Sequence, residues 1–451
     1  MSRISKIEIA IVVGIVLFMI LQYPLHASFP VGGDTTRYLL RVLESFPAIL
    51  TNSWYPASIF LLWTTSWIPV GLEMQFIWWV TLGHIATAAA VGFVAYRIGG
   101  LRAAAISALV WALATIDITR HTEDATLAQL LSLPAFIVAV ERAASTKWKW
   151  SIVLTVVAYF LHPISGLLAT IAIILSFLSR ALRTLPFQKI LLSLGIAGAG
   201  VAVAILVFSH FQSANVLFRS FEENSYPLTE SIYRPFGVFV LLSTFGVIAL
   251  ARSKQKTHFK ITLFILASLA LLTTFNDRLG VGIFPDRFLS YYILTVSIFA
   301  GTGLLFLVSN ILKQPALQGA VILLLIFTVL PDQLRIAAST FNFYESPGKY
   351  ARLHRDERAA IDWMKSNLSP TSYIVSSDVN RHSEWIPIFS DLKWEGIKPS
   401  DSFWKSSEDE LREVEYTHLV LFRNRESDNV FPFDLDVAYE NDGAVILTLP
   451  K

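Results

Sequence analysis

The sequence predicts a polytopic α-helical membrane protein that ends in a small α/β domain. Hydrophobic residues make up 54% of the 451 residues and charged residues only 16%, so the chain is more apolar than most soluble proteins. Apolar segments of spanning length recur from residue 7 to about residue 334, which is typical of several transmembrane helices. The composition changes near residue 340. We therefore expect a transmembrane domain over 1–339 and a soluble domain over 340–451.

The first apolar segment, residues 7–23, is predicted to be an uncleaved first helix. Leu25-His26-Ala27 matches a signal-peptide cleavage site only weakly, because leucine stands where a small residue is preferred. A polar connection follows. Within it, residues 35–50 carry apolar side chains at helical spacing, and residues 57–69 are rich in tryptophan but too short to span. Both segments predict juxtamembrane helices in the first outer loop.

Ten further apolar segments bring the predicted number of transmembrane helices to about eleven. Pro163 lacks a backbone donor and disfavours helix in the residue before it, so His162-Pro163 predicts a turn between two of these helices. The ten segments are residues 74–96, 101–118, 125–141, 150–162, 164–179, 189–209, 234–251, 259–275, 288–311 and 315–331.

Lysine and arginine residues predict the orientation of these helices. Eleven crossings bring six basic clusters, which contain almost no acid, to one side of the membrane, and the positive-inside rule makes that side cytoplasmic. The acidic loop residues, with His121 and His162, then come to the outer side. We therefore expect a multi-pass protein of the plasma membrane with a cytoplasmic N-terminus and an extracytoplasmic C-terminal domain.

The C-terminal region carries the pattern of a small α/β domain. Residues 355–364 read as a charged amphipathic helix, and residues 373–376 and 417–422 as short strands. Residues 437–439 and 445–449 can pair as a hairpin across Asn441-Asp442-Gly443. About a hundred residues are enough to form a core of their own.

The overall composition excludes several kinds of function. The chain has no cysteine, so disulfides, thiol chemistry and cysteine-based metal sites are excluded. Its net charge of +2 gives no reason to expect nucleic acid as a partner. The expected environment is the lipid bilayer.

Asp34 is the first candidate catalytic residue. It follows Gly32-Gly33 at the edge of the first membrane helix, where an unpaired carboxylate is costly and often functional. Asp34 could be a general base for an acceptor hydroxyl, or a ligand for a divalent metal ion. The alternative is an N-cap for the helix that begins at Thr35. The two roles are compatible.

Two further groups of polar residues are predicted on the outer side. His121, Glu123 and Asp124 could bind a metal ion or an acceptor, although acids there would also suit the N-terminus of the following helix. His162 could donate a hydrogen bond to a phosphate at the membrane surface. Its alternative role is that of a polar break between two short helices.

Arginines near the outer ends of helices are candidates for binding a phosphate. Arg278 and Arg287 each follow an aspartate, and Arg234 follows a tyrosine. The planar guanidinium suits phosphate oxygens. Snorkelling to the interface, or a local ion pair, is the alternative for these side chains. In the C-terminal domain, His382, Glu384 and Trp385 form no nucleophile–base pattern and no phosphate loop.

This layout resembles the GT-C superfamily of integral-membrane glycosyltransferases. The resemblance lies in a first helix, an outer loop with an acid near its start, two juxtamembrane helices, further spans and an outer C-terminal domain. Asp34 corresponds to the first-loop acid, and His121, Glu123 and Asp124 lie in the second outer loop, where several members carry an acidic motif. The stretch from Glu357 onward is similar to the tail domain of prokaryotic members.

The resemblance implies an inverting transfer of a sugar from a polyprenyl-phosphate donor to a glycan, lipid or protein acceptor. Asp34 would be the general base, and the second-loop residues would position the acceptor. Arg287 and His162, with Arg278 and Arg234, would bind the donor phosphate. Glu123 and Asp124 are adjacent, whereas metal-dependent members space their two acids by one residue. This departure argues against a divalent metal and for the metal-independent members.

Two other hypotheses use the same residues differently. A transporter or flippase for lipid-linked sugars would share the apolar grooves and the phosphate-binding arginines. However, transporters usually place charges near the bilayer midplane and often show internal repeats, and this chain does neither. A non-catalytic membrane scaffold would present the C-terminal domain, with Asp34 only as a helix cap.

Overall fold

The computed structural model describes residues 3–26, 35–43, 56–117, 127–184, 237–276, 285–341, 353, 355–377, 382–397, 402–423 and 435–450. Its first helix, α1 (Arg3–His26), contains the predicted first span. Two shorter helices follow, α2 (Thr35–Val42) and α3 (Pro56–Thr65), within the two segments predicted to be juxtamembrane helices. In α2 the buried side chains recur at helical spacing, at Tyr38, Leu39 and Val42.

The fourth helix, α4 (Leu72–Asp117), is a helical hairpin. Gly100 has φ +78° and ψ −167°, a conformation that residues with a Cβ rarely adopt. It separates two arms, residues 72–99 and 101–117. The arms pack closely, because a Cβ added to Gly92 would lie 3.2 Å from the carbonyl oxygen of Ala104. The pair corresponds to two predicted spans.

Seven more helices complete the described part of the bundle. The single-residue turn at His162 separates two of them, as the proline predicts. They are α5 (Leu127–Ala144), α6 (Trp148–Leu161), α7 (Pro163–Thr184), α8 (Gly237–Arg252), α9 (Thr257–Thr274), α10 (Pro285–Ile311) and α11 (Pro315–Phe341).

The described helices confirm a polytopic, mainly helical protein. Six of them are long and apolar enough to cross a membrane, and one of the six is the α4 hairpin, which is long enough to cross twice. Shorter apolar helices occupy the predicted spans 150–162, 234–251 and 315–331. The predicted span 189–209 lies outside the described residues, so the number eleven stays a prediction.

Helix α10 forms the centre of the bundle and packs against α4, α8 and α9. Glycines allow this close approach. A Cβ added to Gly303 would lie 2.0 Å from the carbonyl oxygen of Leu242 on α8, and one added to Gly301 would overlap Ser107 on α4. Small residues commonly permit such backbone-to-backbone packing in membranes.

Buried ion pairs hold the helix ends that the basic clusters predicted to be cytoplasmic. Arg102 Nη2 lies 2.8 Å from Glu8 Oε2, and Arg102 Nη1 donates to Gln318 Oε1 at 2.9 Å, which joins α1, α4 and α11. Glu141 is fully buried between Arg97 and Arg142, with both distances to guanidinium Nε atoms at 3.6 Å. The basic clusters therefore contain two buried acids that their sequence pattern did not suggest.

The C-terminal region folds into α12 (Arg355–Asn367) and a five-stranded sheet. Its strands are β1 (Tyr373–Ser377), β2 (Lys393–Ile397), β3 (His418–Phe422), β4 (Asp436–Glu440) and β5 (Ala444–Thr448), in the order β2-β1-β3-β5-β4. Strand β1 pairs in parallel with β2 and β3, whereas β5 is antiparallel to β3 and β4. The predicted hairpin turn at residues 441–443 joins β4 to β5.

A short helix of this region, α13 (Trp385–Ser390), packs against α2. Ile386 and Phe389 of α13 belong to the same buried apolar cluster as Leu39 and Val42 of α2. Another short helix, α14 (Glu408–Arg412), begins with a capping box between Ser407 and Glu410. The contact of α13 with α2 places the C-terminal sheet region beside the first juxtamembrane helix.

Candidate active site

The turn at His162 creates the centre of the candidate site. Helix α6 ends at Leu161, and His162 has the extended values φ −156° and ψ 113°. Pro163 then begins α7, where a missing N–H costs nothing. The two helices approach closely, since a Cβ added to Gly166 would lie 2.5 Å from Tyr159 Cα. This sharp reversal directs the imidazole into the bundle, where His162 is only 3% exposed.

Ser165 lies at the centre of a buried hydroxyl network. Its Oγ is 2.6 Å from the Tyr291 hydroxyl, 2.5 Å from Ser132 Oγ and 3.2 Å from His162 Nδ1. The Tyr291 hydroxyl is also 3.4 Å from His162 Nδ1. The network therefore joins α5, α7 and α10 to the turn at His162.

A backbone carbonyl orients one end of this network. Ser132 donates to the carbonyl oxygen of Gln129 at 2.6 Å, so Ser132 Oγ can accept from Ser165. His162 Nδ1 donates or accepts according to the tautomer of the ring, and it lies within hydrogen-bond distance of both Ser165 and Tyr291. The network therefore fixes the Nδ1 side of the imidazole.

Packing holds the network in place. The Tyr291 ring meets Phe136 edge-on at 5.1 Å between centroids, and Phe136 lies one helical turn after Ser132 on α5. Ser58 of α3 donates to the carbonyl oxygen of Leu161 at 3.2 Å. The second juxtamembrane helix is thereby tied to the turn that carries His162.

The first juxtamembrane helix reaches the same end of the bundle. The backbone N–H of Ala128, near the start of α5, donates to the Tyr38 hydroxyl at 3.3 Å. The ring of Tyr38 packs on Phe76 of α4 at 5.9 Å between centroids. Helices α2, α3, α5 and α10 thus converge with the turn at His162.

Most of the predicted site residues lie outside the described residues. These are Asp34, His121, Glu123, Asp124, Arg234 and Arg278. Their neighbours in sequence are informative nevertheless. Asp34 directly precedes α2, and Asp124 precedes α5 by three residues. The described helices that follow these two predicted acids are therefore joined to each other through Tyr38 and Ala128.

Arg287 belongs to the first turn of α10, and its backbone is described. It lies one helical turn before Tyr291, whose hydroxyl contacts Ser165 and His162. Of the predicted phosphate-binding residues, His162 is therefore in the network, and Arg287 is on the helix that supplies Tyr291 to it. Within the described ranges, no three histidine, aspartate or glutamate residues form a group that could hold a metal ion.

The sequence pattern does not single out Ser132, Ser165 or the contact made by Tyr38. Serines are common in membrane helices and usually bond to their own backbone, so their presence in an apolar segment is a weak signal. The helical spacing of residues 35–50 places Tyr38 on the apolar face of α2. A tyrosine on a buried face that needs a partner for its hydroxyl was the available clue.

No protein-family model and no curated protein sequence matches the chain. Solved structures do match it. The archaeal oligosaccharyltransferase AglB from Archaeoglobus fulgidus, in complex with an inhibitory peptide and a dolichol-phosphate, has a TM-score of 0.56 and 13% identity. That match covers 93% of this chain and 70% of the other.

A second match covers nearly the whole of both proteins. ArnT from Cupriavidus metallidurans bound to undecaprenyl phosphate has a TM-score of 0.58 and 13% identity, over 99% of this chain and 98% of ArnT. The apo state of ArnT gives the same TM-score at 14% identity. Both proteins are membrane glycosyltransferases of the GT-C superfamily. This chain therefore has the fold of the GT-C membrane glycosyltransferases.

Proposed function

We propose that this protein is an inverting membrane glycosyltransferase. It transfers a sugar from a polyprenyl-phosphate carrier to an acceptor on the outer face of the membrane, with Asp34 as the general base. The observation that carries the proposal is the buried network of His162, Ser165 and Tyr291, within a GT-C fold. The network lies where α2 and α5, the helices that follow the two acidic segments, meet.

The donor class is supported by chemistry at this end of the bundle. A polyprenyl phosphate has an apolar tail suited to helix grooves and an anionic head at the membrane surface. His162 is held at Nδ1 by Ser165 and Tyr291, and its imidazole can donate a hydrogen bond to the phosphate. Arg287, one helical turn before Tyr291 on α10, supplies positive charge for the phosphate in this proposal. Arg278 and Arg234 are further phosphate ligands in this proposal.

The proposed reaction is a single displacement at the anomeric carbon. Asp34 takes the proton of the acceptor hydroxyl or amide as the acceptor atom forms its bond to that carbon. The bond between the anomeric carbon and the phosphate oxygen breaks, and its electron pair leaves with the carrier phosphate. Arg287 and His162 stabilise the charge on that phosphate. His121, Glu123 and Asp124 position the acceptor.

No step of this mechanism uses a metal ion. Glu123 and Asp124 are adjacent in sequence, which departs from the spaced acid pair of metal-dependent members of the superfamily. The proposal therefore assigns proton removal to Asp34 alone. It gives the second outer loop a positioning role.

The test compares transfer by the wild type and by Asp34→Asn in proteoliposomes with a radiolabelled polyprenyl-phosphate sugar. General-base loss lowers a rate by about 10²–10⁴-fold, and we expect a decrease in that range. Asp436→Asn is the matched control, because Asp436 is exposed at the start of strand β4, at the edge of the C-terminal sheet.

The outcomes separate the proposal from its alternatives. Equal transfer by wild type and Asp34→Asn would exclude Asp34 as the base. Movement of the labelled carrier across the bilayer without any transfer would instead indicate a transporter. If the protein shows neither sugar transfer nor carrier movement with any lipid-linked donor, the scaffold hypothesis remains.

A further inference from the structure

Tyr38 makes a contact that connects two parts of the site far apart in sequence. Its hydroxyl accepts the N–H of Ala128, 90 residues later, at 3.3 Å. Tyr38 is 5% exposed and Ala128 is fully buried. Neither group can therefore exchange this partner for bulk water without a local rearrangement.

The N–H of Ala128 has a particular need for such a partner. Ala128 is the second residue of α5, and the first four N–H groups of a helix have no acceptor within the helix. A buried backbone N–H without an acceptor is rare in native structures. Tyr38 thus caps α5 from another helix.

A second contact that holds α2 in place comes from the C-terminal region. Helix α13 packs on α2, and Leu39 and Val42 are 0% and 4% exposed within the apolar cluster that includes Ile386 and Phe389. Helix α2 has only eight residues, too few to be stable alone. Its position therefore depends on its neighbours, which include α3, α4 and α13, and α5 through the Tyr38 hydroxyl.

We infer that Tyr38 is a positioning residue for the transfer reaction and that α13 is the clamp that holds it there. This inference rests on the proposed function. Tyr38 fastens the helix that begins directly after Asp34 to the helix that begins three residues after Asp124. It thereby joins the starts of the two helices that follow the proposed base and the proposed acceptor-binding segment in sequence. Because α13 packs on α2, the C-terminal region also takes part in positioning Tyr38.

The experiment uses Tyr38→Phe in the full-length protein. Phenylalanine keeps the ring against Phe76 and removes the hydroxyl that accepts from Ala128. Tyr373→Phe is the matched control, because the Tyr373 hydroxyl donates to Glu395 at 2.8 Å in the C-terminal sheet, outside the site. Transfer is measured on protein selected as monodisperse, so that loss of folded protein does not count as loss of activity.

We expect Tyr38→Phe to lower kcat by about tenfold or more with little change in KM for the donor. Orientation errors of roughly 1 Å can reduce a rate by up to about a hundredfold. Tyr373→Phe should leave both constants unchanged.

A second readout follows the position of α2 directly. The chain has no cysteine, so spin labels at Leu43→Cys and Trp67→Cys report only those two exposed positions, which are 50% and 79% exposed. Tyr38→Phe should broaden the distribution of distances between the labels. A lower kcat with an unchanged distance distribution would overturn the inference, as would a wild-type kcat.

The two proposals fail in different ways. If Asp34→Asn is inactive and Tyr38→Phe keeps the wild-type kcat, only the positioning role of Tyr38 is wrong. If Asp34→Asn transfers sugar at the wild-type rate, the proposed base is wrong, and the positioning role falls with it.

Discussion

The hydroxyl of Ser165 on α7 lies 2.6 Å from the hydroxyl of Tyr291 on α10, and this contact orients the imidazole of His162. A second serine on the same helix, Ser176, makes an equivalent contact with Thr262 of α9, also at 2.6 Å. Both serines are fully buried. Variants at these two serines can therefore separate the effect of location in the bundle from the effect of losing a hydroxyl contact.

We predict that Ser165→Ala and Ser176→Ala both destabilise the protein but differ in activity. Ser165→Ala loses interhelical hydrogen bonds to Ser132 and Tyr291, and Ser176→Ala loses the one to Thr262, each worth about 1 kcal/mol in a membrane. Only Ser165→Ala should lower sugar transfer, by about tenfold, which corresponds to about 1.4 kcal/mol of activation free energy. Thermal unfolding in detergent and a transfer assay on the same samples measure both effects. Equal activity of the two variants would contradict a role for the network.

We predict that the ion pair at Glu141 contributes more to stability than an exposed ion pair. Glu141 is fully buried between two partly exposed arginines and accepts a hydrogen bond from Ser145 at 2.6 Å. Glu141→Gln removes the charge and keeps the shape. It should lower the free energy of unfolding by about 1–3 kcal/mol, less than for a fully buried pair because the arginines remain hydrated.

The control for Glu141 is the pair of Arg358 and Asp362 on α12, at 3.0 Å and largely exposed. Asp362→Asn should change the free energy of unfolding by less than about 0.5 kcal/mol. Urea or thermal unfolding of both variants provides the comparison. The prediction would be refuted if Asp362→Asn lowered the free energy of unfolding more than Glu141→Gln does.

We predict that Gly303→Ala prevents normal packing of the bundle. The added Cβ would lie 2.0 Å from the carbonyl oxygen of Leu242 and 2.6 Å from the backbone nitrogen of Gly246. Backbone atoms cannot rotate away as a side chain can, so α10 and α8 must separate. Overpacking of this kind costs about 1–3 kcal/mol or more.

Gly14→Ala is the control for Gly303→Ala, because no atom lies within 4 Å of a Cβ at that position in α1. Alanine there should leave stability unchanged or raise it by up to about 1 kcal/mol, as in an exposed helix. The melting temperatures of the two purified variants test the difference. Similar melting temperatures would show that α8 and α10 adjust to the added methyl group.

We predict a pH-dependent stabilisation of strand β2 through Glu395. Hydrogen bonds from Tyr416 and Tyr373 lower the pKa of the Glu395 carboxyl, and the bond to Glu395 raises the pKa of Tyr373 to about 12. A lowered carboxyl pKa stabilises the folded state above the ordinary pKa, and the gain is lost as pH falls through the folded pKa. The raised pKa of Tyr373 stabilises the folded state at pH values below the ordinary tyrosine pKa. This stabilisation is lost as the pH rises through about 12.

Hydrogen exchange of β2 measures this effect in the full chain. Wild type should be better protected than Glu395→Gln at pH 7, and the difference should shrink below pH 4. Comparing the two proteins at each pH removes the intrinsic pH dependence of exchange. Glu413→Gln, at an exposed position outside the tyrosine pair, should show wild-type protection throughout. A constant difference between wild type and Glu395→Gln would rule out the carboxylate as the cause.

Features set by local chemistry were predictable from the sequence. The turn at His162 follows from Pro163, the amphipathic α12 from its spacing, and the hairpin from Asn441-Asp442-Gly443. Strand β2 was missed because Lys-Trp-Glu-Gly-Ile combines charged residues with glycine, which disfavour strands. Strand β2 forms because its backbone pairs in parallel with β1.

The candidate site was predictable only in part, because its contacts join distant segments. His162 was identified from its place beside a proline at a helix end. Its contacts with Ser165 and Tyr291 depend on the packing of α7 on α10, and no periodic pattern specifies this packing. The buried Glu8 and Glu141 were missed for a similar reason, since each is neutralised by arginines that the charge pattern assigned to the loops.

The contact between α2 and α13 also has a consequence for biosynthesis. Helix α2 is made early, but α13 follows roughly 340 residues later, and at about 5–20 residues per second this separates them by tens of seconds. During that interval the apolar face of α2 lacks its contact with α13. The nascent protein must therefore remain without a finished site until almost the whole chain has been synthesised. A chain released before residue 385 would carry all the bundle helices that the structure describes, α1 to α11, and still lack the helix that packs on α2.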